Sequence, residues 1–535
     1  MPALSEALKR RKFIPKTKGI DELIQEQQQI NHGPVVNAKL PVRIIGGDGN
    51  GESHIISSFN DVKINAELRN TLNSINYFEP TDVQKCVIPL IQNTTNDILC
   101  LAATGSGKSG SFLIPIINRL QKDKLSSGFC QSDTLNNFSP VAIIVAHTKE
   151  LVEQLYKFAK TLAYGTQVGV AYARGQMPFE EGRRQLANGC DILVITPGRL
   201  QHYLNDGWIF VDGTQFVVID EADKFIVEES FSSLLHELFN RMRKQNNFLF
   251  RTFMFSATLT EVADFVINDF LKKDCYKVIV GKPNQAVSHV HQRVLKVDVD
   301  KYGYAAKFEM ARIILRKIST CEEPKMESLR LNFRKWCHSP KHFCYNTQRT
   351  LIFLNDARSC DRLAIKLSDL GYRAMSTSSH REMEQRYRAV SDFKEGKWHI
   401  LIGTDIIARG MNFPKVKNII IYELPPIHRY QEYVHRVGRT GRIGTEDGCA
   451  YIFFDPRSRN DEMQAEFLIE QLENSKQQVP EFLRELQKSI SDARSRYTNE
   501  CSSTNQNSIE EQLEDKAELE NEIITDKFGN IPWSR

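Results

Sequence analysis

The sequence has no long hydrophobic run, no apolar leader and little net charge. No stretch approaches the roughly 18 consecutive apolar residues that a membrane-spanning helix needs. Residues 1–18 are basic and lack the apolar segment of a secretory signal, so we expect the eleven cysteines to be reduced thiols of the cytosol or nucleus. A net charge of +4 does not demand a polyanionic partner, although a small sum can hide segregated charge. We therefore expect neither a membrane protein nor a disulfide-rich secreted one.

Two consecutive parts of the chain alternate short apolar, β-branched runs with amphipathic windows. The predicted strands are 97–101, 141–145, 191–195, 216–219 and 252–255, and then 350–354, 373–376, 399–402, 418–422 and 449–453. Such alternation is typical of the α/β class, with parallel sheets covered by helices on both faces. Two such units imply a cleft between them, with ligands at the carboxyl ends of the strands.

A chain of 535 residues has room for two or three domains plus tails. We expect a poorly ordered basic, Gln- and Gly-containing arm, a short leading segment, two α/β domains, and a helical then acidic tail; the bounds are 1–55, 57–85, 86–280, 290–480 and 481–535. Polar insertions interrupt the pattern at 122–139 and 318–348.

Three of these segments leave alternatives open. The second insertion carries Cys337, His338, His342 and Cys344, which are zinc-ligand types, but their spacing is not a recurring one and a surface loop is the other interpretation. The basic cluster 9–12 is either a solvated tail, a nucleic-acid contact or a nuclear address. The acidic tail is either a solvating segment or, through Trp533, an anchor for a protein partner.

The apolar run 216–219 leads directly into Asp220-Glu221-Ala222-Asp223. Upstream, a segment matches the phosphate-loop pattern G-x-x-x-x-G-K-S except at its first position, with residues Ala102, Ala103, Thr104, Gly105, Ser106, Gly107, Lys108 and Ser109. Backbone N–H groups of such a loop surround phosphates, the lysine reaches the β/γ oxygens, and the hydroxyl holds Mg²⁺. Asp220 then suits the metal, and Glu221 the attacking water. The sequence predicts hydrolysis of a nucleoside triphosphate.

The letters D-E-A-D and the order of further motifs resemble the DEAD-box RNA helicases of superfamily 2, especially the Vasa and Ded1-like branch. The resemblance covers about Phe59 to Leu483. It implies two tandem RecA-like domains, ATP and Mg²⁺ as cofactors, and RNA as the partner. Arginines three residues apart project from neighbouring positions of a helical turn. Arg439 and Arg442 are therefore expected to reach the γ-phosphate, beside the catalytic Lys108, Asp220 and Glu221.

The resemblance also assigns binding and coupling residues. The leading segment 57–85 resembles the Q motif, in which Gln84 pairs with adenine, Tyr77 stacks on the base and Phe59 packs beside it; an ordinary capped helix with core aromatics is the alternative. Asn412 stands at the ribose. The coupling residues implied are Asp223, Ser256, Thr258 and His435. The RNA-binding residues implied are Thr148, Lys149, Arg174, Gly175, Thr196, Arg199 and Thr404, and the pattern H-x₄-Q-x₂-R is assigned to His380, Gln385 and Arg388.

Several positions depart from the family pattern. Ala103 replaces a usual Gln, Ser109 a usual Thr, and Lys149 a usual Arg. Glu79 stands where a basic residue is common, and Asn412 where an Asp is usual, which removes charge assistance worth about 1 kcal/mol. None of these changes removes a catalytic group, so we expect activity, slower than in close relatives.

The expected function is ATP-dependent unwinding of short RNA duplexes or remodelling of RNA–protein complexes. An ATP-gated RNA clamp with little turnover is the alternative, and a DNA translocase is the weaker third. We expect RNA binding without sequence specificity, protein partners through the tails, no membrane association and a monomer. By analogy with the branch, the expected localisation is cytoplasmic, in ribonucleoprotein or germ granules, with nuclear shuttling.

Overall fold

The computed structural model describes most of the two domains and part of the arm and tail. The described residues are 19–30, 40–47, 49, 54–127, 138–223, 229–245, 250–258, 269–281, 290–297, 303, 305–320, 348–408, 413, 415–441 and 448–503. Some residues with predicted roles lie outside these ranges: the cluster 9–12, Cys337, His338, His342, Cys344, Asn412, Arg442 and Trp533.

The first domain is built on an eight-stranded sheet. Its strands are β1 (Val42–Gly46), β2 (Ile98–Ala102), β3 (Ala142–Ala146), β4 (Val170–Ala173), β5 (Ile192–Ile195), β6 (Phe216–Asp220), β7 (Arg251–Ser256) and β8 (Tyr276–Val280). The spatial order is β1-β8-β2-β7-β6-β3-β5-β4, with β1 antiparallel to β8 and the other pairs parallel. The carboxyl ends of the parallel strands therefore meet at one edge, where the motifs lie.

Helices cover both faces of this sheet. They are α1 (Ile20–Ile30), α2 (Ala66–Ser74), α3 (Asp82–Asn93), α4 (Lys108–Ser127), α5 (Lys149–Leu162), α6 (Phe179–Ala187), α7 (Pro197–Asn205) and α8 (Glu229–Gln245). Strand residues alternate between two cores: Ile98 and Cys100 share one with Phe112 of α4, and Leu99 shares the other with Leu238 of α8. Burial on both faces explains why β2 reads as one continuous apolar run.

The second domain repeats this architecture with six parallel strands. These are β9 (Val290–Lys296), β10 (Thr350–Phe353), β11 (Ala374–Thr377), β12 (Ile400–Gly403), β13 (Asn418–Ile421) and β14 (Gly448–Phe454), in the order β11-β12-β10-β13-β14-β9. Its helices are α9 (Ala305–Thr320), α10 (Ala357–Asp369), α11 (Met383–Lys394), α12 (Glu432–Val437), α13 (Arg459–Glu462), α14 (Ala465–Asn474) and α15 (Glu481–Ser503). The predicted fold class, two parallel-sheet α/β domains, is confirmed.

All ten strands predicted from the sequence are present, displaced by no more than one residue at either end. The sequence interpretation missed β1, β4, β8 and β9. Strand β4 is only four residues long and half alanine, and β9 alternates buried residues with His291 and Arg293. Short or alternating strands lack the continuous apolar run that identified the others.

The structure corrects two expectations of irregular chain. Within the arm expected to be poorly ordered, α1 buries Leu23, and β1 adds an antiparallel edge to the first sheet. Residues 122–127 of the first insertion belong to α4 instead of a loop. In both cases contacts with the first domain stabilise the segment, because β1 pairs along β8 and Lys124 of α4 forms an ion pair with Asp191. No helix among the described residues has the length and apolar character to cross a membrane.

Candidate functional site

A tight turn joins β2 to α4 and carries the phosphate-loop residues. Gly105 and Gly107 have φ values of +78° and +90°, which only glycine adopts without strain. A Cβ on Gly107 would lie 2.6 Å from Gln84 Nε2 and 2.7 Å from Thr81 Oγ1. The helix begins at Lys108, and N–H groups in a first helical turn lack intrahelical partners. The turn is therefore suited to bind phosphate.

Lys108 lies folded over the loop that precedes it. Its ammonium donates hydrogen bonds of 2.7 Å to the carbonyl of Ala102 and 3.2 Å to that of Ala103. Burial lowers the pKa of Lys108, and the carboxylates of Asp220 and Glu221 oppose this shift. The Ser106 hydroxyl is buried and has no hydrogen-bond partner among the described residues. Both groups therefore suit a phosphate oxygen, which would satisfy them.

Asp220 ends β6, and Glu221 follows it in a left-handed conformation. The φ of Glu221 is +58°, and its N–H donates to Asp220 Oδ1 at 3.0 Å. Burial, and then the charge of Glu221, raises the pKa of Asp220 to about 7, while Lys108 opposes the rise. A non-glycine residue at positive φ after a buried strand is characteristic of a functional turn, because it costs free energy that packing must offset.

These carboxylates fit a divalent cation that also binds phosphate. A cation beside Asp220 would favour its ionised form and offset the cost of burying that charge. Among the described residues no group of three or more His, Cys, Asp or Glu side chains is arranged to hold a metal. Mg²⁺ is commonly held by one or two protein oxygens together with substrate phosphates. Asp220 and the Ser109 hydroxyl, two residues into α4 from the loop, fit that pattern.

The Q-motif glutamine is tied to the phosphate loop. Gln84 is fully buried, its Nε2 donates to the Gly107 carbonyl at 2.9 Å and to the Tyr77 hydroxyl, and its Oε1 accepts from Thr81 N–H at 3.0 Å. Thr81 caps α3 and donates to the Ser106 carbonyl at 2.8 Å. The amide is thus directed at the loop, and its pairing with adenine stays a prediction.

Tyr77 and Phe59 lie together, as expected. Their ring centroids are 6.0 Å apart at an interplanar angle of 28°, and Phe158 packs at 6.3 Å from Tyr77. Burial raises the pKa of the Tyr77 hydroxyl to about 12. A Cβ on Gly110 would lie 2.7 Å from that hydroxyl, so Tyr77 also packs against α4. Stacking on a base by Tyr77 stays a prediction.

Four residues predicted to couple the domains meet around one carboxylate. Asp223 accepts hydrogen bonds from Ser256 Oγ at 2.9 Å and Thr258 Oγ1 at 3.1 Å. Its Oδ2 lies 3.4 Å from Nε2 of His435, which belongs to α12 of the second domain. All four side chains are buried. The structure therefore brings these residues together across the domain boundary.

A second contact of this kind joins the phosphate loop to the end of α12. Thr104 Oγ1 donates a hydrogen bond to the carbonyl of Gly438 at 3.3 Å. A Cβ on Gly438 would lie 2.0 Å from Thr104 Oγ1. Arg439 follows, is buried, and donates from Nε to the His435 carbonyl at 3.3 Å. Arg439 is thus adjacent to the residue that contacts the loop. We name Thr104–Gly438 and Asp223–His435 the nucleotide-side contact.

The residues predicted to bind RNA follow strand ends. Thr148 caps α5, its Oγ1 accepting from Leu151 N–H at 3.1 Å, and Thr404 follows β12. Thr196 precedes α7, and its Oγ1 accepts from Gly175 N–H at 3.1 Å. Arg199 donates to the carbonyls of Arg174 at 3.2 Å and Met177 at 2.6 Å. Burial lowers the pKa of Lys149, and Arg386 adds to that shift.

Arg174 corrects the expectation for its position. Only 1% of the residue is exposed, and its guanidinium forms an ion pair with Glu153 and donates to the Gly175 carbonyl at 3.3 Å. Phosphate oxygens cannot reach a guanidinium buried in this way, so the prediction that Arg174 binds RNA is wrong for this arrangement.

The assignment of the H-x₄-Q-x₂-R pattern is corrected as well. Arg388 has 81% of its side chain exposed and lies 3.8 Å from Asp392 of the same helix. Arg386, which the pattern passed over, is buried and pairs with Glu150 of α5 across the domain boundary. Both arginines are on α11, where the spacing from His380 selected Arg388, whereas burial of the helix face selects Arg386 as the arginine that meets the first domain.

Comparisons with known proteins identify the family of the chain and relate its fold to solved structures. The sequence model of the DEAD/DEAH box helicase family matches residues 81–265, and that of the helicase conserved C-terminal domain matches 339–444, together more than half of the chain. Saccharomyces cerevisiae Dbp5 bound to RNA and ADP BeF3 has a similar fold, with a TM-score of 0.62 at 19% identity, covering 81% of this chain and 99% of that one. Mss116 bound to ssRNA and UDP-BeF also reaches 0.62, at 22% identity, covering 83% and 82%.

Curated relatives share more sequence. The ATP-dependent RNA helicase vasa of Drosophila melanogaster is 30% identical over 447 residues, which are 83% of this chain and 59% of the relative. The human probable ATP-dependent RNA helicase DDX4 is 32% identical over 448 residues, 84% and 56% of the two chains. The chain thus spans somewhat more than half the length of these relatives. The two matched domains show that the chain belongs to the DEAD-box helicase family, and within that family the chain is similar to the Vasa branch.

Proposed function

We propose that the protein is an ATP-dependent RNA helicase, which hydrolyses ATP on RNA and locally separates short duplexes or remodels RNA–protein complexes. The observation that carries this proposal is the nucleotide-side contact. Asp223 follows Glu221 by two residues in the sequence, and its carboxylate contacts the imidazole of His435 in the other domain. Hydrolysis chemistry in the first domain is therefore linked physically to the position of the second.

The first domain supplies the groups for the chemical step. Lys108 and the loop N–H groups bind the β- and γ-phosphates of ATP, and Glu221 orients the attacking water and accepts its proton. Mg²⁺, held by Asp220 and Ser109, would neutralise charge that develops on the phosphate oxygens. Arg439 approaches from the second domain, and an arginine in this role is worth roughly 10³–10⁵ in rate elsewhere. Arg442 and Asn412 keep their predicted roles at the γ-phosphate and the ribose.

RNA is proposed to lie along the carboxyl ends of the strands in both domains. Thr148, Lys149, Gly175, Thr196, Arg199 and Thr404 follow those ends. Hydroxyls and cations at such positions contact the sugar–phosphate backbone without reading bases. Because ATP and RNA would each favour the arrangement in which the domains are in contact, each strengthens the binding of the other.

The comparisons support this proposal through their printed descriptions. Vasa and DDX4 are described as ATP-dependent RNA helicases, and Dbp5 is described with RNA and ADP BeF3 bound. We further propose a monomer that works in the cytoplasm, in ribonucleoprotein or germ granules, with nuclear shuttling and protein partners recruited by its tails. The support for these finer statements is the similarity to the Vasa branch alone.

The test is ATP hydrolysis with and without single-stranded RNA, together with separation of a short RNA duplex. The wild type should hydrolyse ATP faster with RNA, and Glu221→Gln should lose that stimulation by about 10²-fold or more. Duplex separation should require ATP. RNA binding that depends on ATP but is accompanied by turnover no higher than that of Glu221→Gln would overturn the helicase and leave the clamp.

A further inference from the structure

Arg174 lies at a crossing of three structural elements. It directly follows β4, and its carbonyl accepts a hydrogen bond from Arg199 of α7. Its side chain turns to α5, where it forms the ion pair with Glu153. A buried guanidinium with one carboxylate partner and one carbonyl is held in a single orientation, because leaving either bond unmade would cost desolvation free energy.

The remaining face of this guanidinium is turned to the second domain. The ring centroid of Tyr387 lies 5.9 Å from Arg174 Cζ, and Tyr387 belongs to α11. An arginine over an aromatic face is attracted by the ring quadrupole, more strongly when water is excluded. The neighbour of Tyr387 is Arg386, which pairs with Glu150. Two adjacent residues of α11 thus engage two residues of the first domain, and we name these pairs the RNA-side contact.

The charges at the RNA-side contact and immediately beside it are closely balanced. Lys149, Arg174 and Arg386 supply three cations, and Glu150 and Glu153 supply two carboxylates. Arg386 and Tyr387 belong to the second domain, so domain separation would leave Glu150 without its cation and Arg174 without its ring. The pairing is therefore favourable only when the domains are together.

We propose that Arg174 and Tyr387 are positioning residues that hold the two domains together and couple RNA binding to nucleotide binding. Arg174 lies in a loop that is hydrogen-bonded to two residues proposed to face RNA. The Gly175 N–H donates to Thr196, and the Arg174 carbonyl accepts from Arg199. RNA and the second domain thus act on the same loop. This inference rests on the proposed function, because coupling has a meaning only if both ligands bind.

The test compares Tyr387→Ala with Tyr387→Phe. Tyr387 is preferred to Arg174 as the site of change, because loss of the guanidinium would leave Glu153 buried and uncompensated and endanger folding. The measured quantity is the affinity for single-stranded RNA with and without a non-hydrolysable ATP analogue. Tyr387→Ala should lower the nucleotide-dependent gain in RNA affinity about threefold to tenfold and leave affinity without nucleotide unchanged. Tyr387→Phe keeps the ring and should match the wild type.

Arg174→Lys sharpens the same test. Lysine keeps the charge but lacks the planar guanidinium face, so Arg174→Lys should lower the nucleotide-dependent gain in RNA affinity by less than Tyr387→Ala does. Tyr164→Ala, which removes an exposed tyrosine of the first domain, is the matched control and should change nothing. The proposal would be overturned if Tyr387→Ala kept the nucleotide-dependent gain in RNA affinity of the wild type. It would also be overturned if Tyr164→Ala lowered that gain as much as Tyr387→Ala did.

A second measurement separates this proposal from the proposed function. Hydrogen exchange of residues 170–176 and 383–394 reports the contact directly, whether or not ATP and RNA bind cooperatively. Tyr387→Ala should speed exchange in both segments, and Tyr387→Phe should not. If the wild type shows no nucleotide-dependent RNA affinity, the proposed function fails, while the exchange data still decide the contact: unchanged exchange in Tyr387→Ala would reject it.

Discussion

The two contacts between the domains are built from different chemistry. The nucleotide-side contact uses a carboxylate, an imidazole, a hydroxyl and a glycine carbonyl, with separations of 3.4 Å and 3.3 Å. The RNA-side contact uses one ion pair, Glu150 with Arg386, and an arginine over an aromatic ring, Arg174 over Tyr387. The nucleotide-side contact is closely packed, so an added methyl group at Gly438 would disrupt it. The RNA-side contact relies on charge and should tolerate small changes in side-chain volume. We expect hydrolysis to depend chiefly on the first and domain closure chiefly on the second.

The largest effect is expected from Gly438→Ala. The added Cβ would lie 2.0 Å from Thr104 Oγ1 and 3.2 Å from the Val434 carbonyl, so the Thr104 side chain must turn away from Gly438 or α12 must move away from the phosphate loop, and either change breaks this contact. A displacement of about 1 Å at a reacting centre costs about 10²-fold in rate, and we expect that loss in the RNA-stimulated kcat. Steady-state kinetics measures it, with Gly19→Ala as the control because its Cβ would meet no atom within 4 Å. Unchanged kcat would mean that this contact does not position the arginines.

The next largest effect is expected from Arg386→Gln, and comparison with Arg388→Gln shows which of the two arginines joins the domains. Arg386→Gln leaves Glu150 without its cation, so we expect a loss of about tenfold or more in ATP-dependent RNA affinity. Arg388→Gln is the matched control on the same helix and should change affinity less than twofold, because its side chain is 81% exposed. Fluorescence anisotropy with labelled RNA gives both values. Equal losses would restore the assignment that the spacing suggested.

Cation binding should depend on pH through Asp220. Its pKa is raised from 3.8 to about 7, so the neutral form is populated near neutrality and protons compete with Mg²⁺. Apparent Mg²⁺ affinity in the presence of ADP should fall about tenfold for each pH unit below 7 and level off above it. The same shift makes ionisation of Asp220 lower the free energy of unfolding as pH rises from 3.8 towards 7. Calorimetry at pH 6 and 8 checks the cation effect, and Asp220→Asn should lose the dependence.

The smallest effect is expected at the capping box of α3. Thr81 accepts from Gln84 N–H at 3.4 Å and donates to the Ser106 carbonyl at 2.8 Å. Thr81→Val should lower the free energy of unfolding by about 1 kcal/mol and weaken ATP binding a few-fold. Thr81→Ser keeps the hydroxyl and should lose less of either. Chemical denaturation and nucleotide titration measure the two effects, and a Thr81→Ser protein as weak as Thr81→Val would contradict the role of the hydroxyl.

The sequence predicts one contact well and the other poorly for a physical reason. Asp223, Ser256, Thr258 and His435 each lie in a short pattern at a strand or helix end, where chain direction fixes the position of the side chain. Arg174 also follows a strand, but no short pattern fixes the partner of its side chain, and Arg386 lies inside α11. A cation in a loop after a strand suits both an RNA phosphate and a buried carboxylate, and only the fold decides which lies closer. Strands β1, β4, β8 and β9 were missed because short or alternating segments give little apolar signal.

A double-mutant cycle on Asp223→Asn and His435→Gln measures whether the nucleotide-side contact couples the domains, with RNA-stimulated ATP hydrolysis as the readout and thermal unfolding as the check on folding. Each single change should lower the stimulated rate at least tenfold, and the double variant should be little slower than either single one, because both remove the same interaction. Losses that multiply in the double variant would instead mean that the two residues act independently and that the nucleotide-side contact does not couple the domains.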